Sequence, residues 1–220
     1  MSPSRYHHGD LKAALVDGAI ELIAERGVRG FSLAEVSRRA GVTVAAPYRH
    51  FADRDELLAA VGVRAVSAFQ QALTADIDAA ESPEQRAAAM IRGYVIFAAE
   101  QRALFEVLFG ANLDKSRFPE LRQAWEPVDD LLEDGIRALC PGDEDAATVL
   151  GDALEAVAHG HAMLLLDGSY GDAPGTVQQV AARAANAALA LIAGRAALTT
   201  STPGASGPAT PSPAEPAPGP

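Results

Sequence analysis

The sequence predicts an all-α fold, with an N-terminal three-helix helix-turn-helix head and a helical bundle behind it. Three observations carry this expectation. The chain is 49% hydrophobic yet only 5% aromatic, with alanine supplying much of the apolar fraction, and such a composition favours helices over sheets. Apolar residues recur at three- and four-residue spacing through most of the chain. No alternating run is long enough to suggest a sheet, and no internal repeat stands out.

The elements follow in order. Across residues 10–26, Leu15, Ala19, Leu22 and Ile23 share one helical face, and Gly27 ends the run. Ser32 and Glu35 stand at the spacing of a capping box, which opens a short second helix burying Leu33, Val36 and Ala40. Gly41 stops it, and Val42 plugs the turn from below. A third short helix is expected from the N-cap Thr43 to His50 or Phe51. Pro47 is awkward there, because its missing N–H would have bonded the Thr43 carbonyl. Asp53 caps a fourth helix running to about Asp78, with Asp55 and Glu56 at the positive end of its dipole. Five more helices are expected at 83–100, 101–110, 118–139, 143–167 and 174–196. Pro83 and Pro119 suit first turns, and 141–142 and 168–174 act as breaks. The domain plan is a head at 1–52, a ligand-binding and dimerisation body at 53–198, and a tail at 199–220. The tail is Thr, Ser, Pro, Gly and Ala with Glu215 as its one charge, so it is expected to be disordered.

Charge divides the chain. The net charge is −11 overall. Residues 1–60 hold eight Lys/Arg and eight Asp/Glu, leaving ten Lys/Arg against 21 Asp/Glu in 61–220. An acidic body repels a polyanion, so a nucleic acid has to meet the head. The single cysteine, Cys140, excludes an intrachain disulfide and a cysteine-clustered zinc site. The N-terminus reads as free of a signal peptide, and no apolar run is expected to approach the length of about 20 residues that a membrane span needs. A soluble cytoplasmic protein is expected, with no membrane partner, cofactor or metal.

The stretch GVTVAAPYRHF at 41–51 joins a tight glycine turn to a short helix that its neighbours must hold in place. Small residues at Thr43, Val44 and Ala45 let a backbone approach another surface. Tyr48, Arg49 and His50 supply donors that can reach phosphates, the demands of a helix laid in a major groove.

With those residues in place, 10–58 resembles the DNA-binding head of the TetR family of bacterial transcriptional regulators. The likeness rests on AERG closing the first helix, on FSLAEVSRRAGVT, on YRHF and on DRDELL, in that order. The string AHGHAMLLLDG at 158–168 resembles the His-Gly motif of one C-terminal subgroup of that family. The resemblance implies a ligand-responsive repressor, binding a palindromic operator in double-stranded DNA as a homodimer. It assigns Ser32, Thr43, Tyr48, His50 and Arg54 to phosphates, and Ala34, Val44 and Ala45 to base edges. Members that read bases by hydrogen bonds carry long polar side chains at some of these positions. Valine and alanine here shift readout toward thymine methyls and DNA shape. The arm at 5–8 is a further candidate for the minor groove.

For the body, Phe97, Phe105, Phe109, Trp125 and His161 are candidates to line a pocket for a small, largely apolar effector; core packing is the alternative for each, as it is for Met163. His159 and His161 are two residues apart and fall on different helix faces, so they do not make a metal pair, while Glu155 and His159 are spaced to meet. The face of Val177, Val180, Ala181, Ala184, Ala187, Ala188 and Leu191 suits close helix packing, either within one subunit or in a four-helix dimer interface with 145–166. No nucleophile–base pair, metal set or phosphate loop supports an enzyme. A protein-interaction module that no longer binds DNA is the other reading, and a DNA-binding regulator is the one adopted.

Overall fold

The computed structural model describes residues 8–199. The arm at 5–7, the side chain of His8 and the tail from 200 onward lie outside the described residues. Among the described residues there are nine α-helices, three 3-10 turns and no strand.

The head is built on α1 (His8–Arg26), which begins two residues before the expected start and buries Leu15, Ala19, Leu22 and Ile23. Gly27 then turns at φ 78°, a left-handed value that other residues rarely adopt. The short α2 (Leu33–Arg39) carries the expected box: Glu35 N–H donates to Ser32 Oγ at 3.3 Å, and Ser32 N–H donates to Glu35 Oε2 at 3.0 Å. The Ser32 hydrogen bond, then Arg26, hold the Glu35 carboxyl below its usual range. Arg39 ties α2 back to α1 through both oxygens of Glu25, at 2.8 Å each, and through Glu21 at 3.1 Å.

The expected third α-helix does not form. Residues 43–46 make a turn and Pro47–Arg49 a single 3-10 turn. The reason is Pro47. Without its N–H, the Thr43 carbonyl takes the N–H of Ala46 instead, at 2.9 Å, one residue short of an α-helical bond. The N–H groups of His50 and Phe51 both converge on the Pro47 carbonyl, at 2.8 and 2.9 Å.

The fourth expected helix is α3 (Arg54–Thr74), capped by Asp53, whose side chain accepts from Glu56 N–H at 2.9 Å. It stops four residues early. The Thr74 hydroxyl bonds back to the carbonyls of Gln70 and Gln71, closing the last turn. A 3-10 turn, Ile77–Ala79, continues the path.

The body follows the expected order closely: α4 (Pro83–Glu100), α5 (Arg102–Gly110), α6 (Pro119–Leu139), α7 (Glu144–Leu166) and α8 (Thr176–Ala193). After Gly194 a short α9 (Arg195–Thr199) takes in the first residue assigned to the tail. The helices share one core. At the α3–α4 crossing the backbones nearly touch: a Cβ on Gly93 would lie 2.1 Å from the Ala72 carbonyl oxygen. Phe69 on α3 centres an aromatic cluster, with ring centroids 5.3 Å from Tyr94, 5.2 Å from Phe97, 5.8 Å from Phe109 and 6.2 Å from Trp125.

The most extensive helix pair is α4 with α8. It corrects the dimer-face expectation: Val180, Ala181, Ala184 and Ala188 are buried within the one chain, where their small side chains let α8 lie close on α4. Gln178, Ala182, Asn186, Leu189 and Ala190 point outward instead. On α7 the outward face carries Val149, Met163 and Leu164, at 40%, 46% and 44% exposure.

Two segments, Arg54–Ala79 and Glu144–Leu166, reach the length and mean hydropathy of a membrane span, at 1.2 each. The sequence reading expects none. Leucine, valine and alanine, scattered at helical spacing among charged and polar residues, raise the mean there, and half of the Arg54–Ala79 window is buried inside the fold.

Candidate functional site

Two surfaces carry the candidate residues. The first is the ridge following α2. Val44 and Tyr48 are 50% and 59% exposed, and Thr43, Ala45 and Arg49 are exposed beside them. Buried Pro47 and Phe51 pin this ridge to the head from beneath. The proline that costs the segment its α-helix therefore also anchors it. His50 is half-buried, its ring 6.4 Å from that of Phe51. Ala34 sits half-buried in the first turn of α2. Ser32 is exposed, with its hydroxyl spent on the capping box, where it donates to Glu35 Oε2 at 2.9 Å.

Arg54 does something the sequence does not reveal. Its guanidinium lies 4.5 Å from the centroid of the Phe31 ring, donates from Nε to the Phe31 carbonyl at 3.2 Å, and donates to the Val28 carbonyl. It braces the loop that leads into Ser32. Sequence reasoning also missed Lys12. Its ammonium is 6.0 Å from the Phe51 ring, which puts a cation of α1 next to the ridge. Only the tertiary fold makes that pairing, since 39 positions separate the two residues.

The second surface is a cavity of about 830 Å³, open on one side to solvent and lined by residues of α3, α4, α5, α6 and α7 and by Lys115. Of the sequence candidates, Phe109 and Trp125 line it. Phe97 and Phe105 do not: they are buried one layer back, their ring centroids 6.4 Å apart. His161 lies away from it. Its Nδ1 donates to the Val157 carbonyl at 2.8 Å, and its ring stacks on Tyr170 at 6.3 Å. The histidine that reaches toward this region is His159, whose Nδ1 lies 2.9 Å from the Tyr94 hydroxyl, so its partner is Tyr94 and not Glu155. Met163 is on the outer surface. Residues that the sequence did not single out complete the wall: Phe69, Met90 and Tyr94 within, and Asp129, Asp152 and Glu155 toward the rim. Helical spacing marks such residues only as inward- or outward-facing, and does not say which inward face borders a void.

Burial, then the charge of Glu155, pushes the Tyr94 phenol well above its usual range, so it stays protonated. Among the described residues no three His, Cys, Asp or Glu side chains are grouped to hold a metal ion.

The two surfaces are joined at Val28. Its N–H donates to Glu106 Oε1 at 2.7 Å across 78 positions of sequence, and its carbonyl accepts from Arg54. Glu106 lies on α5, one turn before Phe109 in the cavity wall. One short helix thus borders the void through Leu108 and Phe109 and touches the head through Glu106. Gly27 leaves room for this contact, since a Cβ there would lie 3.1 Å from Glu106 Oε1.

Comparison with known proteins agrees with this architecture. Residues 15–61 match the family model described as bacterial regulatory proteins, tetR family, and 87–188 match a tetracyclin repressor-like C-terminal domain. The chain is 31% identical over 166 residues to the HTH-type transcriptional regulator BetI of Rhizobium meliloti, covering 72% of this chain and 75% of that protein. A solved structure of a protein of unknown function from Rhodococcus sp. RHA1 superposes with a TM-score of 0.69 at 28% identity, covering 86% of this chain and 98% of that one. A TetR-like transcriptional regulator from the same source superposes at 0.66 with 20% identity, covering 86% and 100%, a likeness of fold.

Proposed function

Because the chain belongs to the TetR family of helix-turn-helix transcriptional regulators, we propose that it acts as a homodimeric repressor, gripping a palindromic operator with two copies of the 43–50 ridge and letting go when a small molecule fills the body cavity. The head at 1–52 contacts DNA, and the body at 53–198 holds the effector and the partner subunit, with no chemistry performed on either. DNA access places it in the cytoplasm.

On the ridge, Thr43, Tyr48, Arg49 and His50 meet phosphates, joined by Lys12, while Val44, Ala45 and Ala34 approach base edges. Ser32 and Arg54 serve the same surface from behind. They fix the start of α2, and the remaining guanidinium donors of Arg54 reach the backbone of the duplex. Apolar side chains at the tip favour thymine methyls and groove shape over hydrogen-bonded readout.

The partner subunit covers the outward faces of α7 and α8, where Val149, Met163, Leu164 and Leu189 are exposed in the single chain. Solvent-exposed apolar side chains of this number on two adjacent helices favour a second copy packed against them. A two-fold axis through that interface sets the ridges about 34–36 Å apart, one turn of duplex.

The single observation that carries ligand control is the Val28 node. An effector pressing on Phe109 moves α5, and with it the Glu106 carboxylate that holds the entrance to α2. The ligand must favour one placement of α5 over the other, because equal affinity for both shifts nothing.

The test is a gel-shift titration against operator fragments selected from a random DNA pool. Tyr48→Ala weakens binding by about 5- to 10-fold, the scale of one lost phosphate contact, with sedimentation unchanged. Wild-type affinity falls steeply with added salt. Equal affinity for the Tyr48 variant, or binding indifferent to salt, refutes the assignment.

A further inference from the structure

The charge and chemistry of the cavity lining narrow the class of molecule it takes. Resting on the reading of this cavity as the effector site, we propose that its ligand is an organic cation, whose charged end replaces the ammonium of Lys115 over the ring of Trp125.

Three observations converge. The interior is lined by the aromatic rings of Phe69, Tyr94, Phe109 and Trp125, and a ring face exposed to the cavity attracts a cation through its quadrupole. The lining as a whole is acidic: Asp129, Glu133, Glu144, Asp152 and Glu155 against Lys115 and Arg137, a balance of −3. Of its two cations, Arg137 is already engaged, 3.6 Å from Glu133 and 2.6 Å from Asp134. Asp129, Asp152 and Glu155 have no cationic side chain within ion-pair distance among the described residues. The field of Glu155 also reaches inward, since it contributes to raising the Tyr94 phenol.

The third observation is Lys115 itself. Its ammonium stands 3.8 Å from the centroid of Trp125, so a cation already occupies the best aromatic face of the cavity. It is delivered by the one-turn segment Lys115–Arg117 between α5 and α6, whose N-cap Asp114 side chain accepts from Ser116 N–H at 3.0 Å and from its hydroxyl at 2.6 Å. A long flexible side chain on a short turn swings aside at small cost, and its solvated ammonium loses little in water. An anionic ligand would face the unpaired carboxylates. A neutral one would leave them without a counter-charge and gain nothing from displacing Lys115.

Trp125 is the only tryptophan in the chain, so its emission reports on this ring alone. The full-length protein is titrated with phenyltrimethylammonium, with its uncharged isostere tert-butylbenzene, and with benzoate. The expected result is saturable quenching by the ammonium compound, weakened by salt, with at least 10-fold poorer binding of the other two. Lys115→Met removes the competitor and tightens binding by about 2- to 30-fold, the span of a cation–π contact. Lys115→Gln serves if that variant does not fold. Asp152→Asn with Glu155→Gln weakens it by about 10-fold, as expected for two nearby charges in a partly solvated site. Saturable binding of tert-butylbenzene equal to that of the cation keeps an effector cavity and overturns its charge preference. Weaker binding after Lys115→Met overturns the placeholder role. No response to any of the three compounds overturns both the ligand class and the effector reading of this cavity.

Discussion

Replacing Glu106 with alanine cuts the link between cavity and head. The Glu106 carboxylate accepts the Val28 N–H at 2.7 Å in a partly buried setting, and Val28 itself is 5% exposed. Removing the acceptor strands that N–H against protein, and a hydrogen bond to a charged group is worth about 1.5–3 kcal/mol. For a chain of this size each kcal/mol moves Tm by about 2–4 °C, so the expected drop is about 3–12 °C. Glu106→Gln keeps a neutral acceptor and loses about half as much. Glu126→Ala is the control. That residue pairs with Arg122 at 3.3 Å with both side chains more than half exposed, and its loss changes stability by less than about 0.5 kcal/mol. Urea unfolding checks the ordering, because the midpoint falls while the slope holds if the native and unfolded states keep their compactness. The functional arm uses Glu106→Gln, the milder change. Operator affinity without effector stays within about threefold of wild type, while the effector-driven weakening, about 5- to 150-fold for a typical coupled pair of sites, shrinks toward none. An alanine variant that melts within about 1 °C of wild type refutes the energetic argument. A glutamine variant that keeps its full ligand response refutes the coupling.

Two further outcomes test the body. Gly93→Ala forces α3 and α4 apart, because its Cβ would sit 2.1 Å from the Ala72 carbonyl oxygen; the cost is about 1–3 kcal/mol or more, read as a lowered Tm, and an unchanged Tm contradicts the close crossing. Leu164→Asp places a charge on the outward face of α7, where the wild-type side chain is 44% exposed. Sedimentation then shows monomers whose helicity by circular dichroism matches wild type, and a persisting dimer moves the interface elsewhere.

The sequence by itself determined the order of the body helices and most of their ends to within two residues, because proline, glycine and capping side chains act within a few residues of themselves; the one helix expected over 174–196 is instead broken at Gly194 into α8 and α9. Ser32 with Glu35, Asp53 with Glu56, and Gly27 each form their bonds or turns locally, so their geometry was legible before any fold was known. The same locality explains why the DNA-binding head could be placed. Its signature is contiguous, and its exposed side chains follow one another in the chain. At 43–50 a local rule outweighs the helical pattern: the missing N–H of Pro47 is enough to trade an α-helix for tighter turns.

What only the tertiary structure decided depends on residues far apart in sequence. Periodicity identified an alanine face on α8 but not its neighbour, and α4 claimed it because small side chains pack equally well within a chain or between two. Aromatic residues marked the core without separating Phe109 and Trp125, which border the void, from Phe97 and Phe105 behind them. The Val28 node, the Arg54 brace and the Lys115 ammonium over Trp125 span separations of 78, 26 and 10 positions. A hydrogen bond or cation–π contact is short-ranged in space and carries no mark along the chain, so only packing of the helices brings such partners together.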